Sequence, residues 1–137
     1  MIVCGAAVAG PRGAMSRHRV AFGKSGEDLA CRELERRGYA IIERRHRSRG
    51  GELDIIARDG GTLVFVEVKT RDGRQFGGGA EAVTGVKRRR IARLALEYVV
   101  RHRLLNVACR FDVVSIHYDG ERPIIEVYQN AFDAHST

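Results

Sequence analysis

The chain has no apolar run approaching the ~18–20 residues that a helical membrane span requires, so that class is excluded. It has little cysteine. Cys4, Cys31 and Cys109 are odd in number, far apart and form no C-x-x-C, so neither a disulfide framework nor a zinc site is indicated. Cys31 and Cys109 are expected as small core residues. His18, His46, His102, His117 and His135 show no close ligand spacing either. The composition is that of a reduced, cytoplasmic protein. No repeat, low-complexity segment or linker marks a second domain, and 137 residues suit one modest core. Met1–Gly10 is apolar, yet no basic residue precedes its apolar part. Residues 1–18 are therefore expected as a flexible extension, with Met15 an alternative start, rather than a signal peptide. Residues 19–133 would form the domain and 134–137 a tail.

What is abundant is positive charge. The 24 Lys and Arg outnumber the 17 Asp and Glu, for a formal charge of +7. Such an excess favours a polyanionic partner, nucleic acid ahead of an acidic membrane. The alternative is a genome that writes Arg wherever Lys would serve. Two clusters stand out: Arg44, Arg45, Arg47 and Arg49, and then Lys87, Arg88, Arg89, Arg90 and Arg93. Consecutive helical residues point in several directions, so some of the second cluster are merely solvated. Backbone contacts are expected from Arg45, Arg47, Arg49, Arg71, Lys87, Arg88 and Arg90. No homeodomain, zinc finger or RNP motif is present, which favours DNA binding by structure over reading of sequence. Phe76, in a glycine-rich stretch, could stack on an exposed base or plug into the core.

The local patterns give a coarse map. Ser25 reads as a helix N-cap with Asp28 three residues on, and the helix stops at Gly38. Its apolar stripe is Ala30, Cys31 and Leu34, and Glu27 falls on that stripe. Strands are predicted at 39–45, 52–58 and 62–70, the last two joined by the tight turn Asp59-Gly60-Gly61. A glycine-rich loop spans 72–79. A second helix follows from about Ala80 to Arg103, with a possible break at Gly85 and a stripe of Ile91, Leu94, Ala95 and Tyr98. Strands at 109–117 and 123–128 close the chain, turning at Asp119-Gly120. The order αβββαββ predicts an α/β fold, a mixed sheet with helices on its faces.

The chemistry is concentrated in the central hairpin. In Thr62–Thr70, Leu63, Phe65, Glu67 and Lys69 share one face while Val64, Val66 and Val68 share the other. Both faces begin apolar, so the strand is expected to be buried on both sides and its charges need partners or a task. If Gly60-Gly61 is a two-residue loop, Asp59 faces Thr62, Asp54 faces Glu67 and Glu52 faces Lys69, with Cβ atoms roughly 4.5–5.5 Å apart. Two carboxylates that close repel, and a divalent cation between them relieves the repulsion. Oxygen ligands suit Mg²⁺ or Mn²⁺. Lys69 could hold a water or steady a phosphate, and Glu27 is a candidate further ligand. The plainer alternative pairs Asp54 and Glu67 with arginines and Glu52 with Lys69 as an ion pair.

The stretch Gly51-Glu52-Leu53-Asp54-Ile55-Ile56-Ala57, followed by Phe65-Val66-Glu67-Val68-Lys69-Thr70-Arg71, resembles the PD-(D/E)xK nuclease superfamily. More narrowly, the chain resembles the bacterial YraN family of endonuclease-like proteins. The likeness extends to Gly26-Glu27 with Ala30, Phe76-Gly77, Lys87 and Arg110-Phe111-Asp112-Val113, roughly residues 22–132. It implies a restriction-endonuclease-like fold related to archaeal Holliday-junction resolvases. It also implies catalytic roles for Glu27, Asp54, Glu67 and Lys69, with Mg²⁺ on Asp54, Glu67 and the Val68 carbonyl. The chain departs from the family in carrying His46 where Asn is usual. The function expected is a metal-dependent endonuclease acting on branched or damaged DNA in repair or recombination, with a homodimer as one way to supply two cuts. The alternatives are a nucleic-acid-binding module with an idle site and a basic protein-interaction domain.

Overall fold

A computed structural model describes residues 18–71 and 84–132, residues 18–25 as backbone only. The extension before residue 18, the glycine-rich loop with Phe76, and the tail beyond residue 132 lie outside the described residues. Seven elements follow one another: α1 (His18–Arg36), β1 (Ala40–Ser48), β2 (Gly51–Asp59), β3 (Thr62–Thr70), α2 (Gly85–Arg101), β4 (Cys109–Asp119) and β5 (Arg122–Tyr128). The five strands form one sheet in chain order. Every neighbouring pair is antiparallel except β3 and β4, which are parallel and joined across α2. This is the mixed sheet flanked by helices that the order αβββαββ predicts.

The central strand is buried on both faces, as its double apolar pattern requires. Leu63, Val64, Phe65 and Val66 are all no more than 2% exposed. Leu63 and Phe65 pack under α2 with Ile91, Leu94 and Tyr98. Val64 and Val66 pack under α1 with Ala30, Cys31 and Leu34. The two cores share the sheet as their common wall.

Ser25 is not an N-cap, because α1 starts at His18 and Ser25 lies within it. The glycine beside it serves packing. A Cβ on Gly26 would come within 2.6 Å of Thr70 Oγ1, so Gly26 lets α1 lie directly on the end of β3. The stop at Gly38 is as expected. Gly38 takes φ +99°, its N–H donates to the Glu35 carbonyl, and the Tyr39 N–H donates to that of Leu34, the two bonds of a Schellman cap. The second helix starts at Gly85, and the Thr84 hydroxyl caps it by accepting from the Lys87 N–H at 3.2 Å. Cys31 is a core residue but Cys109 is exposed. It lines a cavity of about 320 Å³ together with Ala92, Leu96 and Val99 of α2 and with Leu105.

Candidate active site

The turn register is the one expected: Asp59 faces Thr62, with Gly60 at φ +63°. Counting outward holds as far as Ile55 opposite Val66, where the β2–β3 ladder ends. Glu52 therefore does not face Lys69; it pairs with Arg47 of β1. The strand turns away because its alternation breaks at Asp54. Ile55 and Ala57 pack on the α1 side and Ile56 on the α2 side, yet Leu53 also packs on the α2 side. On β1 the matching disturbance is Arg45, at φ +54°. Arg44 faces Ile55 and His46 faces Leu53, while the residues between them form no ladder pair. A bulge at Ile42 adds to the twist of that strand.

The parting of β2 from β3 leaves one edge of β3 without a strand, and Asp54 fills it. Its Oδ2 accepts the Val68 N–H at 2.8 Å, replacing a lost ladder bond. In an extended strand a residue's N–H and C=O lie on one edge, so the Val68 carbonyl faces the same gap. Glu67, one residue earlier, stays on the α2 face and is 8% exposed. Burial first, and then the Glu67 charge, push the Asp54 carboxyl up to about 7, against the Val68 N–H and Lys87, which pull it back. The Glu27 charge from α1 also acts on Asp54. The two carboxylates thus meet at the mouth of a strand gap rather than as a ladder pair.

Each flanking carboxylate has a cation. Lys87 Nζ lies 2.5 Å from Glu67 Oε2. Arg45 Nε lies 2.8 Å from Glu27 Oε1, with Arg44 at 3.7 Å, and the Glu27 bond holds the Arg45 guanidinium above its usual range. Among the described residues, no carboxylate pairs with Lys69. Nor, among them, do three or more His, Cys, Asp or Glu side chains stand together as a metal cage. The oxygens facing the gap still fit Mg²⁺ or Mn²⁺, since Mg²⁺ is commonly held by one or two carboxylates with waters and substrate phosphate.

Residues 26–116, which include all these groups, match the Uncharacterised protein family UPF0102. The chain belongs to the UPF0102 family. It is 50% identical over 119 residues to a UPF0102 protein of Geobacter metallireducens, covering 87% of this chain and 98% of the relative. A UPF0102 protein of Symbiobacterium thermophilum is 52% identical over 114 residues, covering 82% and 96%. Among solved structures, Pyrococcus furiosus SfsA in complex with Ca²⁺ is 17% identical with a TM-score of 0.36, over 81% of this chain and 63% of that one.

The Arg47–Arg49 end of the first basic cluster meets the second cluster, whereas Arg44 and Arg45 turn instead to Glu27 and Asp28 of α1. The Gly50-Gly51 turn after Arg47 and Arg49 sits against α2: a Cβ on Gly51 would come within 3.3 Å of Arg90 Cδ, and one on Gly50 within 4.0 Å of Arg93 Nε. Arg47 is exposed and 3.4 Å from Glu52, and Arg49 is exposed. Lys87 stands one helical turn before Arg90, so the basic rim runs into the site. Arg88 lies apart, its guanidinium 5.7 Å from the Phe132 ring centroid. Arg71 follows Lys69 beyond the end of β3, and its N–H donates to the Ile116 carbonyl.

A second polar cluster escaped the sequence reading. Asp112 is fully buried on the α1 side. It accepts the Tyr39 hydroxyl at 2.7 Å, Arg110 Nε and Nη2 at 2.9 and 2.8 Å, and the Asn130 N–H at 2.9 Å. Arg110 also reaches Asp59 at 2.9 Å, and its acidic partners, Asp112 first, hold its pKa above the usual range. The cluster fastens the start of β1, the β2–β3 turn, β4 and the chain after β5. A charged residue inside the apolar run of β4 was the available signal, since a buried carboxylate must be paired.

Proposed function

We propose that this UPF0102 chain is a metal-dependent endonuclease that hydrolyses phosphodiester bonds in branched or damaged DNA. The observation that carries the reading is geometric: at the gap between β2 and β3 the Asp54 Oδ2 accepts the Val68 N–H at 2.8 Å, one residue from the buried Glu67 carboxylate. Asp54, Glu67 and the Val68 carbonyl would hold Mg²⁺ or Mn²⁺. When bound, such a cation lowers the pKa of a water and polarises the phosphate. Lys69 orients the attacking water and offsets charge on the phosphate oxygens. The water oxygen bonds to phosphorus, the bond to the leaving sugar oxygen breaks, and the proton ends on that oxygen. Arg47, Arg49 and Arg90 grip the backbone beside the site, without reading bases. Two strands of a junction would need two copies of the chain.

A binding module with an idle site is the second reading, favoured by the cations already on Glu27 and Glu67. A cleavage panel separates the two. Wild type and Asp54→Ala meet single-strand, duplex, flap and four-way-junction DNA with Mg²⁺, Mn²⁺ or EDTA. The nuclease reading expects metal-dependent products from wild type and none from Asp54→Ala or Glu67→Ala, with DNA binding retained. Full cleavage by either variant refutes it. Salt-dependent binding with no product on any substrate supports the idle module.

A further inference from the structure

We propose that Lys87 is an internal counter-ion of the site. It holds Glu67 in the protein alone and passes to a backbone phosphate when DNA arrives, so that nucleic acid and divalent cation bind cooperatively. The inference rests on the metal-site reading above and adds the residue that couples its two ligands.

The geometry has three parts. Glu67 sits on a strand paired on its β4 side, opposite Val113, and its side chain is 9% exposed. Its position is therefore set by the sheet. The Lys87 backbone is set by the helix cap, its N–H on Thr84 Oγ1. Its side chain is 33% exposed and closes 2.5 Å from Glu67 Oε2. An ammonium and a divalent cation cannot both contact one carboxylate oxygen without strong repulsion, so a metal on Glu67 Oε2 must displace Lys87, and a metal on Oε1 loses affinity to the ammonium beside it.

Lys87 can leave. A lysine ammonium is a point charge on a flexible stem, without the bidentate fork with which arginine locks a carboxylate. The displaced charge has a destination. Arg90 stands one turn further along α2, against the Gly50-Gly51 turn that carries Arg47 and Arg49, so a phosphate on that rim lies alongside Lys87. Lys69 is left for the reacting phosphate, since the ammonium on Glu67 is that of Lys87. Coupling of this kind is reciprocal: if phosphate draws Lys87 away and tightens the metal, metal tightens phosphate by the same factor.

The test reads metal binding directly. Mn²⁺ affinity is measured by electron paramagnetic resonance or calorimetry on the full chain without DNA, for wild type, Lys87→Met, Lys87→Ala and Asp54→Asn. Lys87→Met keeps the apolar stem, and both substitutions leave the Thr84 cap intact because it uses the backbone. The proposal expects Mn²⁺ to bind both Lys87 variants about tenfold tighter than wild type, within the usual range of coupling. A four-way junction then raises Mn²⁺ affinity more in wild type than in Lys87→Met. Equal Mn²⁺ affinity in wild type and the Lys87 variants, with Asp54→Asn weakened, overturns the counter-ion role and leaves the metal site standing. Absence of Mn²⁺ binding in wild type and every variant overturns both.

Discussion

Asp54→Asn in metal-free protein should raise stability at neutral pH. The ionised carboxylate is held in a half-buried gap beside Glu67, which lifts its pKa from 3.8 to about 7. At about 1.4 kcal/mol per pH unit, ionising it in the fold costs about 4 kcal/mol, or about 2–4 once part exposure is allowed for. The direction follows from proton counting. Between pH 4 and 7 the folded state keeps a proton that the unfolded state has lost, so stability falls as pH rises. Below that window both states are protonated and the penalty is absent; above it both are ionised and the penalty is complete. Asparagine cannot ionise, still accepts the Val68 N–H, and offers a donor to Glu67. Urea midpoints in EDTA from pH 4 to 8 should show the two proteins alike at pH 4 and the variant ahead by about 2–4 kcal/mol at pH 8. Adding Mn²⁺ at pH 8 should stabilise wild type and do much less for the variant. A gap that stays constant from pH 4 to 8 would refute the raised pKa of Asp54, and with it the burial of its carboxyl in the strand gap.

Two further outcomes test the frame around the site. Gly26→Ala drives a Cβ to within 2.6 Å of Thr70 Oγ1 and should destabilise by about 1–3 kcal/mol, with Thr70→Ala restoring most of the loss in a double-mutant cycle; an unaffected midpoint would show that α1 does not lie on β3 at that point. Asp112→Ala removes a fully buried acceptor of four hydrogen bonds and should lower stability by about 3–5 kcal/mol, read as a fall in urea midpoint with unchanged slope. A loss below about 1 kcal/mol would remove the cluster's structural role.

The parts of this protein legible in the sequence are those set by neighbours along the chain. The period-two pattern of Thr62–Thr70 determines that Glu67 and Lys69 share a face with Leu63 and Phe65, because a pleated strand alternates whatever surrounds it. Asp59-Gly60-Gly61 determines the register as far as Ile55, because a two-residue loop leaves no slack. The stop of α1 is equally local, since Gly38 alone supplies the left-handed turn that the cap requires. Tertiary structure decided the rest. The break at Asp54 is matched by a left-handed Arg45 on the neighbouring strand, and it converts an expected ladder pair into a carboxylate facing the Val68 N–H. The expected start of α1 differs because Ser25 and Asp28 carry the spacing of a capping box although the helix runs through them from His18, and Gly26 beside them answers to Thr70, forty-four residues away. Lys87 meets Glu67 only because the β3–α2–β4 crossover lays the first turn of α2 over that face. Periodicity and turn chemistry act over a few residues; a charge in a half-buried site is governed by whichever partners packing brings to it, and those lie beyond the reach of any local pattern.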